Sequence, residues 1–211
     1  MNLNEKIHLL ESSAGAYVYL IDAGEKMLVD TGLPFRGKPI ERELAHLAGK
    51  LTDVRHILLT HYDVDHIGNA ARLQRLTGAQ LWASREEIPY ITGKKEKPGF
   101  KKHIAKLFRC EAPAELLPFE ETLPGGAVRV LPSPGHTPGH VCLLFGGALF
   151  AGDIVENHKG MLRPYPAGWN WKNEMMLQSI GELDRQQFQW VCPAHGRPLP
   201  REAWDKMISS L

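Results

Sequence analysis

An α+β chain, two packed sheets with helices outside them, is the fold that the sequence predicts. Two observations point there. Short apolar runs separated by turns give way to helical spacing of apolar residues, and this order of strands then helices occurs twice in 211 residues. Three apolar runs also end alike. Leu59 leads through Thr60 to His61, Phe150 through Ala151 and Gly152 to Asp153, and Cys192 through Pro193 and Ala194 to His195. Each strand end is thus followed by a potential metal ligand, and such ends are where sheets flanked by helices carry their sites. A single domain spanning 1–211 is long enough for a substantial core.

Taken in order, residues 7–10, 17–21 and 27–29 read as strands, the last two joined by a hairpin around Ala23, Gly24 and Glu25. Asp30 then ends the third strand, either as a turn residue that caps its own backbone or as an outer partner of a nearby site. Ile40, Leu44 and Leu47 share a helix face between 39 and 50. A buried strand over 54–60 follows, then a short loop. The next helix opens near Gly68, with Ala70, Leu73 and Leu76 on one face and Gly78 as its stop. Residues 79–83 form another strand, and Ser84 to Glu87 read as a helix start. After Pro118 come a strand at 127–131, a proline-stiffened loop carrying His136, and apolar runs at 141–145 and 148–151 around Gly146 and Gly147. That two-residue hairpin puts Phe145 against Ala148, so Asp153 falls opposite His140 and beside the His136 loop. A helix over 170–183, a buried strand over 189–192 and a helix from about Arg201 complete the chain.

Composition narrows the function. A net charge of +1 gives no general attraction to nucleic acid. No apolar run approaches the ~20 residues of a membrane span, and the first residues lack the basic-then-apolar order of a secretory signal. Cys110, Cys142 and Cys192 are widely spaced and odd in number, as reduced thiols of a cytoplasmic protein would be. Residues 94–109 depart from this balance: Lys94, Lys95, Lys97, Lys101, Lys102, Lys106 and Arg109 stand against Glu96. This insertion, at about 93–110, is either a solvated excursion or a lid, with Phe100, Leu107 and Phe108 facing in and lysines holding an anionic group.

Residues 60–68, Thr-His-Tyr-Asp-Val-Asp-His-Ile-Gly, hold the chemistry. Four potential ligands, His61, Asp63, Asp65 and His66, crowd into six consecutive residues. Imidazole with carboxylate suits zinc, iron or manganese, and polar groups packed this densely are costly unless paired.

This motif, the Pro-Gly-His-Thr-Pro-Gly-His run at 134–140, the Gly-Asp at 152–153 and the final His195 resemble, in order, the signature of the metallo-β-lactamase-fold hydrolases. That superfamily includes glyoxalase II-like thioesterases and lactonases. The resemblance runs from about 17 to 196 and implies an αββα sandwich, two mixed sheets flanked by helices, with two divalent metals at one edge. It implies that His61 and His136 bind the first metal, that Asp65, His66 and His195 bind the second, and that Asp153 bridges them. Zinc is the first choice, with manganese or iron as alternatives. The departure is Asp63, which stands where the family has its second histidine. As a ligand it removes net positive charge from the centre, weakening the Lewis acid and favouring oxygen-loving ions, and Asp63→His is then expected to tighten zinc binding.

The resemblance implies hydrolysis by a metal-held hydroxide of a small ester, thioester, lactone or phosphodiester, an anionic small molecule if the lysines of the insertion take part. Asp65 is expected to orient the nucleophile or pass a proton, and Tyr165 to hold a substrate oxygen. Trp169 and Trp171 are candidate pocket walls, and His140 is expected to be a structural hydrogen bonder. Two other readings stay open. One resembles the mononuclear iron persulfide dioxygenases of the same superfamily, with His61, His136 and Asp153 as ligands. The other is a metal-binding sensor without catalysis.

Overall fold

The computed structural model describes residues 2–119, 123 and 126–211. Contacts gather the chain into two compact units, Met1–Phe119 and Glu120–Leu211.

The amino-terminal unit is built on a seven-stranded sheet whose strands follow one another in chain order. Its strands are β1 (Asn2–Asn4), β2 (Ile7–Leu10), β3 (Val18–Asp22), β4 (Lys26–Val29), β5 (Val54–Leu58), β6 (Gln80–Ala83) and β7 (Leu117–Pro118). The first four pair antiparallel, and β4 to β7 pair parallel. Parallel neighbours need crossovers. These are supplied by α1 (Gly37–Ala48), then by α2 (Val64–Ile67) with α3 (Ala70–Thr77), then by α4 (Ile88–Ile91) and α5 (Lys101–Phe108). Ile40, Leu44 and Ala48 recur at helical spacing on α1 and are buried with Leu20, Leu28, Ile57 and Leu73 in one cluster. Each such aliphatic side chain contributes about 1.5–3 kcal/mol. Gly78 closes α3 in the left-handed conformation, as expected.

The predicted helix opening near Gly68 begins earlier, at Val64, and breaks before Ala70. Gly68 itself makes a close approach: a Cβ there would run into the Gly32 carbonyl oxygen and the Pro34 nitrogen. The motif therefore ends in glycine because the preceding loop is packed against it.

The carboxy-terminal unit has a five-stranded sheet in the order β14-β13-β10-β9-β8. Its strands are β8 (Arg129–Pro132), β9 (Val141–Phe145), β10 (Ala148–Gly152), β13 (Trp190–Pro193) and β14 (Leu199–Pro200). A separate hairpin joins β11 (Val155–His158) to β12 (Met161–Pro164). Helices α6 (Asn173–Asp184) and α7 (Arg201–Ile208) bury Met176, Ile180, Leu183, Trp204 and Met207 against Leu149, Ala151 and Val191. The β9–β10 register is the one the sequence predicts, Phe145 on Ala148 and Leu144 on Leu149. Gly146 and Gly147 both have positive φ, as the favoured two-residue turn requires. Both units thus carry mixed sheets with flanking helices, as the α+β reading expects.

In the basic insertion the apolar residues face the other way from what was expected. Phe100, Leu107 and Phe108, expected to face in, are 43%, 78% and 39% exposed, whereas Lys97 and Lys101 are only 8% and 6% exposed. The inward positions are taken instead by Lys101, paired with the Asp63 carboxylate, and Lys97, bonded to the Tyr62 carbonyl.

Candidate metal centre

In the amino-terminal unit, the end of β5 is fixed by Asp30. Its Oδ1 accepts the Thr60 amide at 2.8 Å, and its Oδ2 accepts both the Thr60 hydroxyl at 2.8 Å and His66 Nδ1 at 2.9 Å. Asp30 reaches this position with φ +61°, unusual for a residue other than glycine. Of its two readings, the outer partner is the one the geometry supports. Thr60 spends its single hydroxyl proton on Asp30, so the same oxygen accepts from His61 Nδ1 at 3.0 Å. Both imidazoles therefore carry their proton on Nδ1 and present Nε2 as a lone-pair nitrogen.

Those nitrogens face carboxylates. His61 Nε2 lies 3.5 Å from Asp63 Oδ2, and His66 Nε2 lies 3.9 Å from Asp65 Oδ2. The His61 and His66 rings are 3.9 Å apart. Asp63 occupies the position before α2, yet its carboxylate does not cap the helix; only its carbonyl oxygen accepts, from the His66 and Ile67 amides. Its Oδ2 instead takes an ion pair with Lys101 Nζ at 2.6 Å. Lys97 Nζ donates to the Tyr62 carbonyl and lies 5.1 Å above the Tyr62 ring. Burial lowers the Lys97 pKa, partly offset by the charge of Asp63. Beside these groups lies a cavity of about 250 Å³ lined by Val64, Ile67, Tyr90, Ile91, Lys97 and Cys110, among others. Glu87, read from sequence as part of a helix start, is fully buried and accepts the Tyr62 amide at 2.7 Å.

In the carboxy-terminal unit the candidate ligands come from three loops. The Gly135–His136 segment is tied to the chain before α6 by bonds from the Lys172 amide to the Gly135 carbonyl and from the Trp171 amide to the His136 carbonyl. Asn170 Oδ1 accepts His136 Nδ1 at 2.9 Å, while its amide group donates to the Tyr165 carbonyl and Asn173, which fixes the amide's orientation. Parallel pairing of β10 with β13 sets Gly152 beside Pro193, and the Ala194 amide bonds the Gly152 carbonyl, so Asp153 and His195 emerge side by side. His136 Nε2 and His195 Nε2 both face Asp153 Oδ2, at 3.5 and 3.3 Å. His140 has the structural role expected of it. Its Nε2 accepts the Asp153 amide at 3.1 Å, and its Nδ1 meets Ser133 Oγ at 2.9 Å.

Adjacent ligands of one tetrahedral ion, with bonds of about 2.0–2.1 Å, stand roughly 3.3 Å apart. The donor pairs at 3.3 and 3.5 Å are close to that spacing and the His66–Asp65 pair at 3.9 Å is wider, and the protonated Nδ1 atoms of His61, His66 and His136 leave their other nitrogens able to bind. The residues present fit divalent metal.

Tyr165 packs against two of these histidines, 4.9 Å from the His136 ring and 5.4 Å from the His195 ring. Trp169 and Trp171, expected as pocket walls, are 45% and 38% exposed. Sequence reasoning missed Lys97, Lys101 and Asn170 as individual contributors. Only the two lysines had a visible signal, the local excess of positive charge.

The metallo-beta-lactamase superfamily model matches residues 14–195. The chain belongs to the metallo-beta-lactamase superfamily. Among its relatives, the probable metallo-hydrolase YflN of Bacillus subtilis is 27% identical over 201 residues, covering 82% of this chain and 76% of the relative. The hydroxyacylglutathione hydrolase of Anaeromyxobacter dehalogenans is 34% identical over 141 residues, 66% of this chain and 46% of that protein. The metallo-beta-lactamase family protein TTHA1429 of Thermus thermophilus superposes with a TM-score of 0.76 at 24% identity, over 99% of this chain and 80% of that one. TTHA1623, solved in a di-iron-bound form, gives 0.71 at 23% identity, over 91% and 93% of the two chains. These two likenesses establish the metallo-beta-lactamase fold. Among the described residues, no helix is long and apolar enough to cross a membrane.

Proposed function

We propose that this superfamily member is a metal-dependent hydrolase whose two sets of donors share one dinuclear centre. By the order of the motifs, His61, Asp63, His136 and Asp153 would hold one ion and Asp65, His66 and His195 the other, with Asp153 common to both. The observation that carries this reading is Asp153 Oδ2, a single carboxylate oxygen faced at similar distance by His136 and His195. An oxygen so placed suits a bridging ligand. Zinc is the first choice of ion, with iron or manganese next.

Divalent ions held by these residues would supply a water that ionises near neutral pH and a Lewis acid for a carbonyl or phosphoryl oxygen. Asp65, whose side chain is 21% exposed, accepts the proton of the attacking water at its carboxylate and returns it to the leaving group. Tyr165 directs its hydroxyl to a substrate oxygen, with its ring edge-on to the His136 imidazole and tilted against that of His195. The substrate is a small ester, thioester, lactone or phosphodiester, with anionic character suited to the lysines of the insertion. Three cysteines outside any disulfide suit a reducing compartment, and the cytoplasm is the proposed location.

Elemental analysis of freshly purified protein, followed by assay of that metal form on the four substrate classes, tests the reading. About two equivalents of divalent metal should be retained. Chelation should lower hydrolysis at least ~100-fold, and the same ion should restore it. Protein that holds no metal and turns over none of the four defeats the proposal. One iron with oxygen uptake on a persulfide would replace hydrolysis with dioxygenation.

A further inference from the structure

We propose that Lys101 is a built-in counter-charge for Asp63, so that the two together take the electrostatic place of the neutral histidine found there in the family's motif. The inference rests on the metal-centre reading above. Lys101 Nζ lies 2.6 Å from Asp63 Oδ2, with side chains 8% and 13% exposed, and that same oxygen is the one 3.5 Å from His61 Nε2. The cation is thus attached to the atom that faces the ligand set. Lys101 Nζ is also 5.7 Å from the Tyr62 ring centroid, where a face of negative potential helps to hold an ammonium out of water. Lys97 lies over the same ring and bonds the Tyr62 carbonyl, so the strand-to-helix turn is clamped from the insertion side by two lysines.

Charge decides what this does. A carboxylate ligand adds one negative charge that an imidazole lacks, and on its own would weaken the Lewis acidity of the ions. An ammonium bonded to that carboxylate cancels it. The centre then keeps the net charge of the histidine version, and the expected tilt toward manganese or iron loses its electrostatic basis. The expectation that Asp63→His alone tightens zinc binding is reversed as well. That change leaves the Lys101 charge beside the ions with its carboxylate gone.

Zinc affinity of the metal-free full chain, measured by competition with a chromophoric chelator, reads this directly. Asp63→His should bind zinc at least ~10-fold more weakly than the wild type, and Lys101→Met at least ~10-fold more tightly, since a unit charge within several ångströms of a divalent ion is only partly screened. The double variant Asp63→His with Lys101→Met should return to within about threefold of the wild type. Lys101→Arg, which keeps the unit charge though not the shape, should stay closer to the wild type than Lys101→Met. If Lys101→Met does not fold, comparing Asp63→His with the double variant carries the same test, because the double variant retains neither buried charge. Lys101→Met with unchanged or weaker zinc affinity, or a double variant as weak as Asp63→His, overturns the counter-charge. A wild-type chain that binds no zinc, iron or manganese overturns the metal-centre reading itself, and so is distinguishable from a failure of Lys101 alone.

Discussion

His61, Asp63, Asp65 and His66 leave the backbone within one turn of chain, whereas His136, Asp153 and His195 arrive from three loops on different strands. The first group is held by a side chain: Asp30 binds the Thr60 backbone, the Thr60 hydroxyl and His66 at once. The second is held by backbone, through the β9–β10 and β10–β13 registers and the bonds that tie Gly135 and His136 to residues 171–172. A clustered motif concentrates its dependence on one outer residue. A dispersed one spreads it over a sheet.

Asp30→Ala should be the most damaging change to this contrast. Losing a buried carboxylate with three bonds should cost about 3 kcal/mol of stability and 10- to 100-fold in metal affinity, read by thermal melting and zinc titration. An unchanged affinity would mean that the turn keeps its shape unaided. Gly135→Ala should come next, at about 3 kcal/mol in denaturant melts and chiefly as lost stability. Gly135 has φ +136°, and a Cβ there would run into the backbone nitrogen and Cα of Met176 in α6. A variant as stable as the wild type would remove the backbone from the account of how His136 is held. Asn170→Ala should do least, no more than ~10-fold in affinity, because Trp171 and Lys172 still hold the loop. A loss matching that of Asp30→Ala would erase the distinction between the two units.

The same contrast explains what could be read from the sequence. The clustered candidate ligands are visible at once, and the hairpin register follows because Gly146 and Gly147 leave one economical turn. The β11–β12 hairpin escapes a pattern search. Its strands, Val155–His158 and Met161–Pro164, show no apolar alternation, and its Lys159-Gly160 turn, positive in φ at both residues, is the one local sign. The insertion was legible as a charge excess but not in its orientation. Apolar side chains normally face inward on a helix. Here Lys101 goes in because its partner carboxylate, 38 residues earlier, lies inside, and nothing local to α5 encodes that.

The ion pair between the insertion and the 60–68 turn also bears on how relatives could diverge. Positions 63 and 101 form a couple, so a histidine at the first leaves the second without a task, and an aspartate at the first makes shortening of the 93–110 segment harmful. Descendants of one ancestor should therefore exchange these two residues jointly, and grafting the turn into another member of the superfamily would require carrying the lysine-bearing helix with it.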